Sequence, residues 1–144
     1  MKREIKFRAW DRLNKEMIEV YAIDNTKKGA TEENAYESKG YNEHGQKRFY
    51  LHNVDLMQFT GLLDKNGKEI YEGDIVHNIK RLKNWEVKFH RQHVGFVMIR
   101  QENMKNYFSQ FNVNFSDGEI YQCDYIEVIG NIFEHPELLT QSNP

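Results

Sequence analysis

The dipeptide Asn66-Gly67, set between two apolar stretches, constrains the fold of this chain more than any other local feature. Both residues take positive φ angles at little cost, so Asp64-Lys65-Asn66-Gly67-Lys68 predicts a tight reversal between two strands. The flanking sequence has the same short rhythm. Ile5, Phe7 and Ala9 alternate with Lys6 and Arg8, the period of a half-buried strand, and Met17 to Ile23 is a second apolar run. Asp11 and Asn14 supply turn chemistry between them, which predicts an amino-terminal hairpin. Phe49 to Leu63, Glu69 to Val76, the alternating Trp85, Val87 and Phe89, and Val94 to Ile99 continue as a meander of short strands. Tyr125 to Phe133 is another dense apolar segment.

Two segments read differently. Residues 24–47 form a polar excursion, with a short helix expected around Thr31 to Ser38. Met104, Tyr107, Phe108 and Phe111 stand at i, i+3, i+4 and i+7, which predicts one or two helical turns. Asp117-Gly118 is a further turn signal, Pro136 opens a terminal helical turn, and residues 140–144 read as a frayed tail. Many short strands with closely spaced turns favour a mainly β barrel or sandwich over alternating β and α layers.

At 144 residues the chain is expected to form a single domain over 1–144, and its 13% aromatic content is enough to furnish a core despite 29% charged residues. No apolar segment has the length of a membrane span, and no apolar stretch of the secretory type follows Met1 to Trp10. The sequon Asn114-Phe115-Ser116 reads as a chance match. One cysteine, Cys123, allows no internal disulfide, so the chain is expected in a reducing cytoplasm.

Catalytic signatures are sparse. Glu69, Glu72 and Asp74 place three carboxylates close together, as a hard cation would require, yet glycine and aspartate before a strand also serve a sharp turn. His77, His90 and His93 lack the ligand spacing of a zinc site and read as ordinary polar histidines. Cys123 reads as a half-buried strand cysteine rather than a nucleophile. Neither a phosphate-cradling glycine loop nor a nucleophile elbow is present. The expectation is a protein without catalytic activity, metal or cofactor.

Charge is segregated along the chain. Between residues 77 and 105, Lys80, Arg81, Lys83, Lys88, Arg91, Arg100 and Lys105 against Glu86 and Glu102 leave +5, whereas residues 106–144 carry six carboxylates and neither Lys nor Arg. The formal charge of −2 therefore conceals a strongly dipolar chain. Aromatics interleave the basic segment, as in small barrels that bind nucleic acid. On that reading Lys80, Arg81, Lys83, Lys88 and Arg91 contact phosphate and Trp85 stacks. The competing reading buries Trp85 and Phe89 and leaves the cations as a solvated face, balanced by the acidic end or meeting the acidic end of another copy.

Three blocks carry a family resemblance: Arg3 to Asp11, Thr60 to Val76, and Glu127 to Ile132 followed by Pro136-Glu137-Leu138-Leu139. Together they resemble the YopX family of small phage and prophage proteins. Leu63 and His135 depart from the polar residue and asparagine more usual there. The resemblance implies a small SH3-like barrel, here with an added amino-terminal hairpin and short helical turns, and an origin in a phage or prophage of a Gram-positive bacterium. It implies no known reaction. The functional expectation is an accessory protein that binds a protein partner or another copy of itself, with no membrane partner. The alternatives are a nucleic-acid-binding barrel using 77–105, and a metal-dependent hydrolase or nuclease using Glu69, Glu72 and Asp74.

Overall fold

Alternation and turn chemistry produce thirteen strands and one short helix among the described residues, which in the computed structural model are 4–27, 36–41, 48–102, 105–111 and 121–140. The protein is mainly β. No helix among these residues is long and apolar enough to cross a membrane. The chain divides into two compact units, residues 6–58 and residues 59–144 together with 1–5.

In the first unit, β1 (Phe7–Asp11) and β2 (Glu16–Val20) form the expected antiparallel hairpin, with Ala9 opposite Ile18. Its turn is held by Asp11, whose Oδ1 accepts the N–H groups of Leu13 and Asn14 at 2.9 and 3.1 Å. The positive φ falls on Lys15 rather than on Asn14. The early residues of β6 (Val54–Asp64) pair with β1 on its other side. The Met17 to Ile23 run is not one strand: it breaks at the exposed Tyr21, after which β3 (Ala22–Lys27), β4 (Tyr36–Tyr41) and β5 (Arg48–Tyr50) form a separate sheet. Strand pairing thus extends into the polar excursion. Residues 36–38 belong to β4 rather than to the expected helix, and 31–35 lie outside the described residues. Ala9, Ile18, Phe49 and Val54 form this unit's core, flanked by Val20 and Leu51.

In the second unit, the later part of β6 pairs with β7 (Glu69–Tyr71) and, in parallel, with β12 (Tyr121–Cys123). The predicted reversal occurs with Gly67 at φ 80°. Gly61, at φ 85°, lies where the β6/β7 register shifts between Phe59 and Leu63. There Thr60 Oγ1 donates to the Ile70 carbonyl and accepts the Leu62 N–H, stabilising the irregularity. A second, antiparallel sheet has the order β11-β10-β9-β8-β13, where β8 is Asp74–Asn78, β9 Lys83–His90, β10 Gly95–Glu102, β11 Lys105–Gln110 and β13 Ile126–Asn131.

The helical reading of 104–111 is corrected by β11, which pairs along β10 from Val97↔Gln110 to Glu102↔Lys105. Tyr and Phe suit a pleated strand, the interspersed asparagines disfavour a helix, and the neighbouring strand takes up the backbone hydrogen bonds. Met104 lies outside the described residues, as do Asp117-Gly118, the sequon and the tail from 141 onward. The terminal helical turn is present as α1 (Glu137–Thr140). Ile70, Val76, Trp85, Val87, Met98, Cys123 and Ile126 form one buried cluster drawn from both sheets of this unit. Each large side chain so buried contributes about 1.5–3 kcal/mol before conformational entropy is counted. The described strands pair in open orders, and no ring of pairings closes into a barrel among them.

Candidate nucleic-acid interface

The basic segment is built on the β8–β9 hairpin, whose last paired residues are Asn78 and Lys83. Asn78 is buried, and its Oδ1 accepts the N–H groups of Lys80 and Arg81 at 3.1 and 3.0 Å. Ile79 N–H donates to the Tyr125 carbonyl at 3.0 Å, tying the turn to the residue before β13. The turn is closed by Leu82 in the left-handed region at φ 52°, with its side chain exposed. A positive φ on leucine costs about 1 kcal/mol and is held in place by the surrounding bonds.

This short turn presents a group of cations. Lys80 and Arg81 are exposed and Lys83 is half-buried. The Arg81 guanidinium carbon lies 5.7 Å from the Trp85 ring centroid, and that of Arg100 lies 5.3 Å from the same ring. Lys80 Nζ is 5.0 Å from the Tyr125 ring centroid. The position of Arg100 follows from register: Ile99 faces Glu86 across β9 and β10, so the next residue stands beside Trp85. Sequence reading counted Arg100 in the basic segment but not among the contact residues, because only the pairing of β9 with β10 brings it to the hairpin.

Two of the expected contacts lie elsewhere. Arg91 is exposed in the 3-10 turn Arg91–His93 at the far end of β9, whose eight residues span roughly 25 Å. Lys88 is exposed on the middle of the strand, 3.9 Å from Glu86 Oε1. The six residues therefore do not form one continuous face. Trp85 requires a correction too. At 2% exposed it belongs to the core, beneath guanidinium groups, and offers no free face for a base. The aromatic group at the surface is instead Phe89, 46% exposed, packed edge to face on Phe96 at 5.6 Å.

The acidic carboxy-terminal segment does not neutralise this hairpin among the described residues. Glu127 pairs with Lys65 at 2.6 Å, and Glu134 accepts from Asn131 Nδ2. Asp124 and Glu137 are exposed, while Asp117 and Glu119 lie outside the described residues. No ion pair involves Lys80, Arg81, Lys83 or Arg91 among the described residues.

The other candidates are dispersed. Glu69 Oε2 accepts the Tyr71 hydroxyl, buried Asp74 accepts the Tyr71 N–H at 2.7 Å, and Glu72 Oε1 lies 3.4 Å from the Phe89 N–H. No three His, Cys, Asp or Glu side chains are grouped to hold a metal ion among the described residues. His77 Nδ1 is bonded to Asn84 Oδ1, and the His93 side chain lies outside the described residues. Cys123 is fully buried, and burial, then the Asp124 and Asp64 carboxylates, push its thiol up to about 11. The thiol therefore stays protonated near neutrality, and a thiol-exchange reagent at pH 8 is expected to label the folded protein at least about 100-fold more slowly than the urea-unfolded chain. Equal rates would show that Cys123 is accessible. The sign for stability follows from the raised value. This contribution is complete below pH 9, the thiol's ordinary value, and is lost as pH rises through about 11, because the unfolded chain ionises first.

The architecture and site thus define a mainly β protein with an unneutralised cationic hairpin. The chain belongs to the YopX protein family, whose sequence profile matches residues 6–140. It is similar to protein EF1440 from Enterococcus faecalis, at 29% identity over 96% of this chain and 99% of that one, with a TM-score of 0.48. It is also similar to protein yopX from Bacillus subtilis, at 21% identity over 93% and 97% of the two chains, with a TM-score of 0.49. No curated protein matches the chain.

Proposed function

We propose that this chain acts by binding rather than by catalysis, and that its partner is a nucleic acid whose phosphates meet the β8–β9 hairpin. The observation that carries this reading is the held turn with Lys80, Arg81 and Lys83 outside any ion pair among the described residues. Cations fixed by the fold bind a polyanion without the entropy cost of ordering a loop, and they release counterions from it. An SH3-like small barrel is the fold proposed for the second unit, supported by two sheets sharing one core. A phage or prophage origin and a cytoplasmic location complete the proposal, on the strength of the family resemblance and of the single cysteine.

The test is anisotropy of labelled single- and double-stranded oligonucleotides over a salt series. Three phosphate contacts predict a slope of log K against log salt of about −2 for single strands and about −3 for duplex. Absence of salt-dependent binding at low ionic strength would remove the reading. A second reading, capture of a protein or of another copy, is favoured by exposed Ile79, Leu82, Phe89 and Val94. Self-association predicts a mass above the monomer by light scattering, and a monomer at every concentration excludes it.

A further inference from the structure

We infer that Arg81 and Arg100, gathered around Trp85, form a phosphate-binding site at the hairpin end of the second unit, with Lys80 at its margin. The inference rests on the nucleic-acid reading and makes it specific: the contact group is Lys80, Arg81 and Arg100, while Lys88 and Arg91 lie outside it.

Two guanidiniums within reach of one indole ring repel each other, and an aromatic face offsets only part of that cost, since each such contact is worth about 0.5–2 kcal/mol according to its desolvation. Two cations held side by side are the complement of an anion. The remaining polar group of the cluster has the same character. Trp85 Nε1 is buried and donates to no acceptor in the structure, so the indole adds another donor and no acceptor. Nearby, Lys80 is drawn over Tyr125 by the turn that Asn78 fastens. Guanidinium groups suit this task because their planar fork meets two phosphate oxygens together while the flat face stays on the ring. Arg91 and Lys88 have neither an aromatic support among the described contacts nor proximity to the second guanidinium.

The site has two sources of ligand with the same chemistry, a phosphodiester backbone and a free phosphate compound. The experiment measures the full chain with a labelled single-stranded thymidine octamer, and in parallel follows its melting temperature with pyrophosphate at constant ionic strength. Arg81→Gln and Arg100→Gln are each expected to weaken octamer binding about tenfold, the size of one charged hydrogen-bonding contact, and Arg91→Gln less than about twofold. Arg100→Lys keeps the charge without the planar fork and is expected to fall between wild type and Arg100→Gln. Melting curves of each variant separate loss of the site from loss of the fold, and Arg81, being exposed, gives the cleaner comparison.

If the octamer binds but Arg81→Gln matches wild type, or Arg91→Gln weakens binding as much as Arg81→Gln does, the site is wrong and the nucleic-acid reading stands. If the octamer fails to bind while pyrophosphate raises the melting temperature of wild type and not of Arg81→Gln, the site stands and the nucleic-acid reading falls. A protein that responds to neither ligand overturns both.

Discussion

Replacing Asp64 by alanine is expected to cost about 3–5 kcal/mol of stability, the largest loss foreseen for a single polar side chain in this fold. Asp64 is 1% exposed and ends β6 at the Asn66-Gly67 reversal. Its Oδ1 accepts the N–H groups of Asn66 and Lys68 at 2.8 and 2.9 Å, and its Oδ2 accepts the N–H of Val128 at 3.0 Å. The last bond has a specific cause. The β8/β13 register shifts between Val128 and Gly130, and Asp64 takes the Val128 donor at that irregularity. Alanine would leave three backbone donors in a poorly hydrated corner. Asparagine keeps one acceptor oxygen and is expected to lose at least about 1.5 kcal/mol, because its amide nitrogen then faces a donor. Equilibrium urea unfolding measures both, and a loss below about 1 kcal/mol for alanine would show that water replaces the carboxylate. The Lys65–Glu127 ion pair beside it is part-exposed and is not expected to matter comparably.

The second large effect is that of Trp85→Ala, expected to cost about 3–5 kcal/mol, as for other buried aromatic residues. This variant separates two roles that the same residue type serves. A surface stacking group would lose affinity for single strands with stability intact. A core tryptophan supporting two guanidiniums loses stability first, and Trp85→Phe recovers much of it because a smaller ring still fills the space and still faces the cations. Unfolding and octamer binding are measured on the same samples. If Trp85→Ala melts like wild type, the ring is not the centre of the core that its position among Val76, Val87 and Met98 indicates.

Much of the fold was legible because its signals are local. The Asn66-Gly67 turn, the 7–20 hairpin and the helical turn after Pro136 each depend on a few neighbouring residues and their preferred backbone angles. The reading of 104–111 failed where two periods overlap: aromatic residues spaced for a helix face also make a good strand when a partner such as β10 is available. The excursion at 24–47 was read as polar and irregular because its composition is weakly apolar, yet backbone pairing alone suffices to order β3 against β4. The basic segment was visible as a charge count, but its division between two ends of β9 was not, since charge counting carries no register.

What the sequence determined by itself is the mainly β class, the positions of its sharp turns, the separation of positive from negative charge and membership of the YopX family. Those properties come from steric preferences of adjacent residues and from composition, so they survive without any knowledge of contacts. Tertiary structure alone decided that Trp85 lies in the core, that Arg100 joins Arg81 around it, and that Glu127 is committed to Lys65 rather than to the hairpin. Each of these depends on which strands pair and in what register, and register is a property of distant residues meeting. Whether a cation is neutralised or left for a partner is therefore settled in space, after the chain has folded.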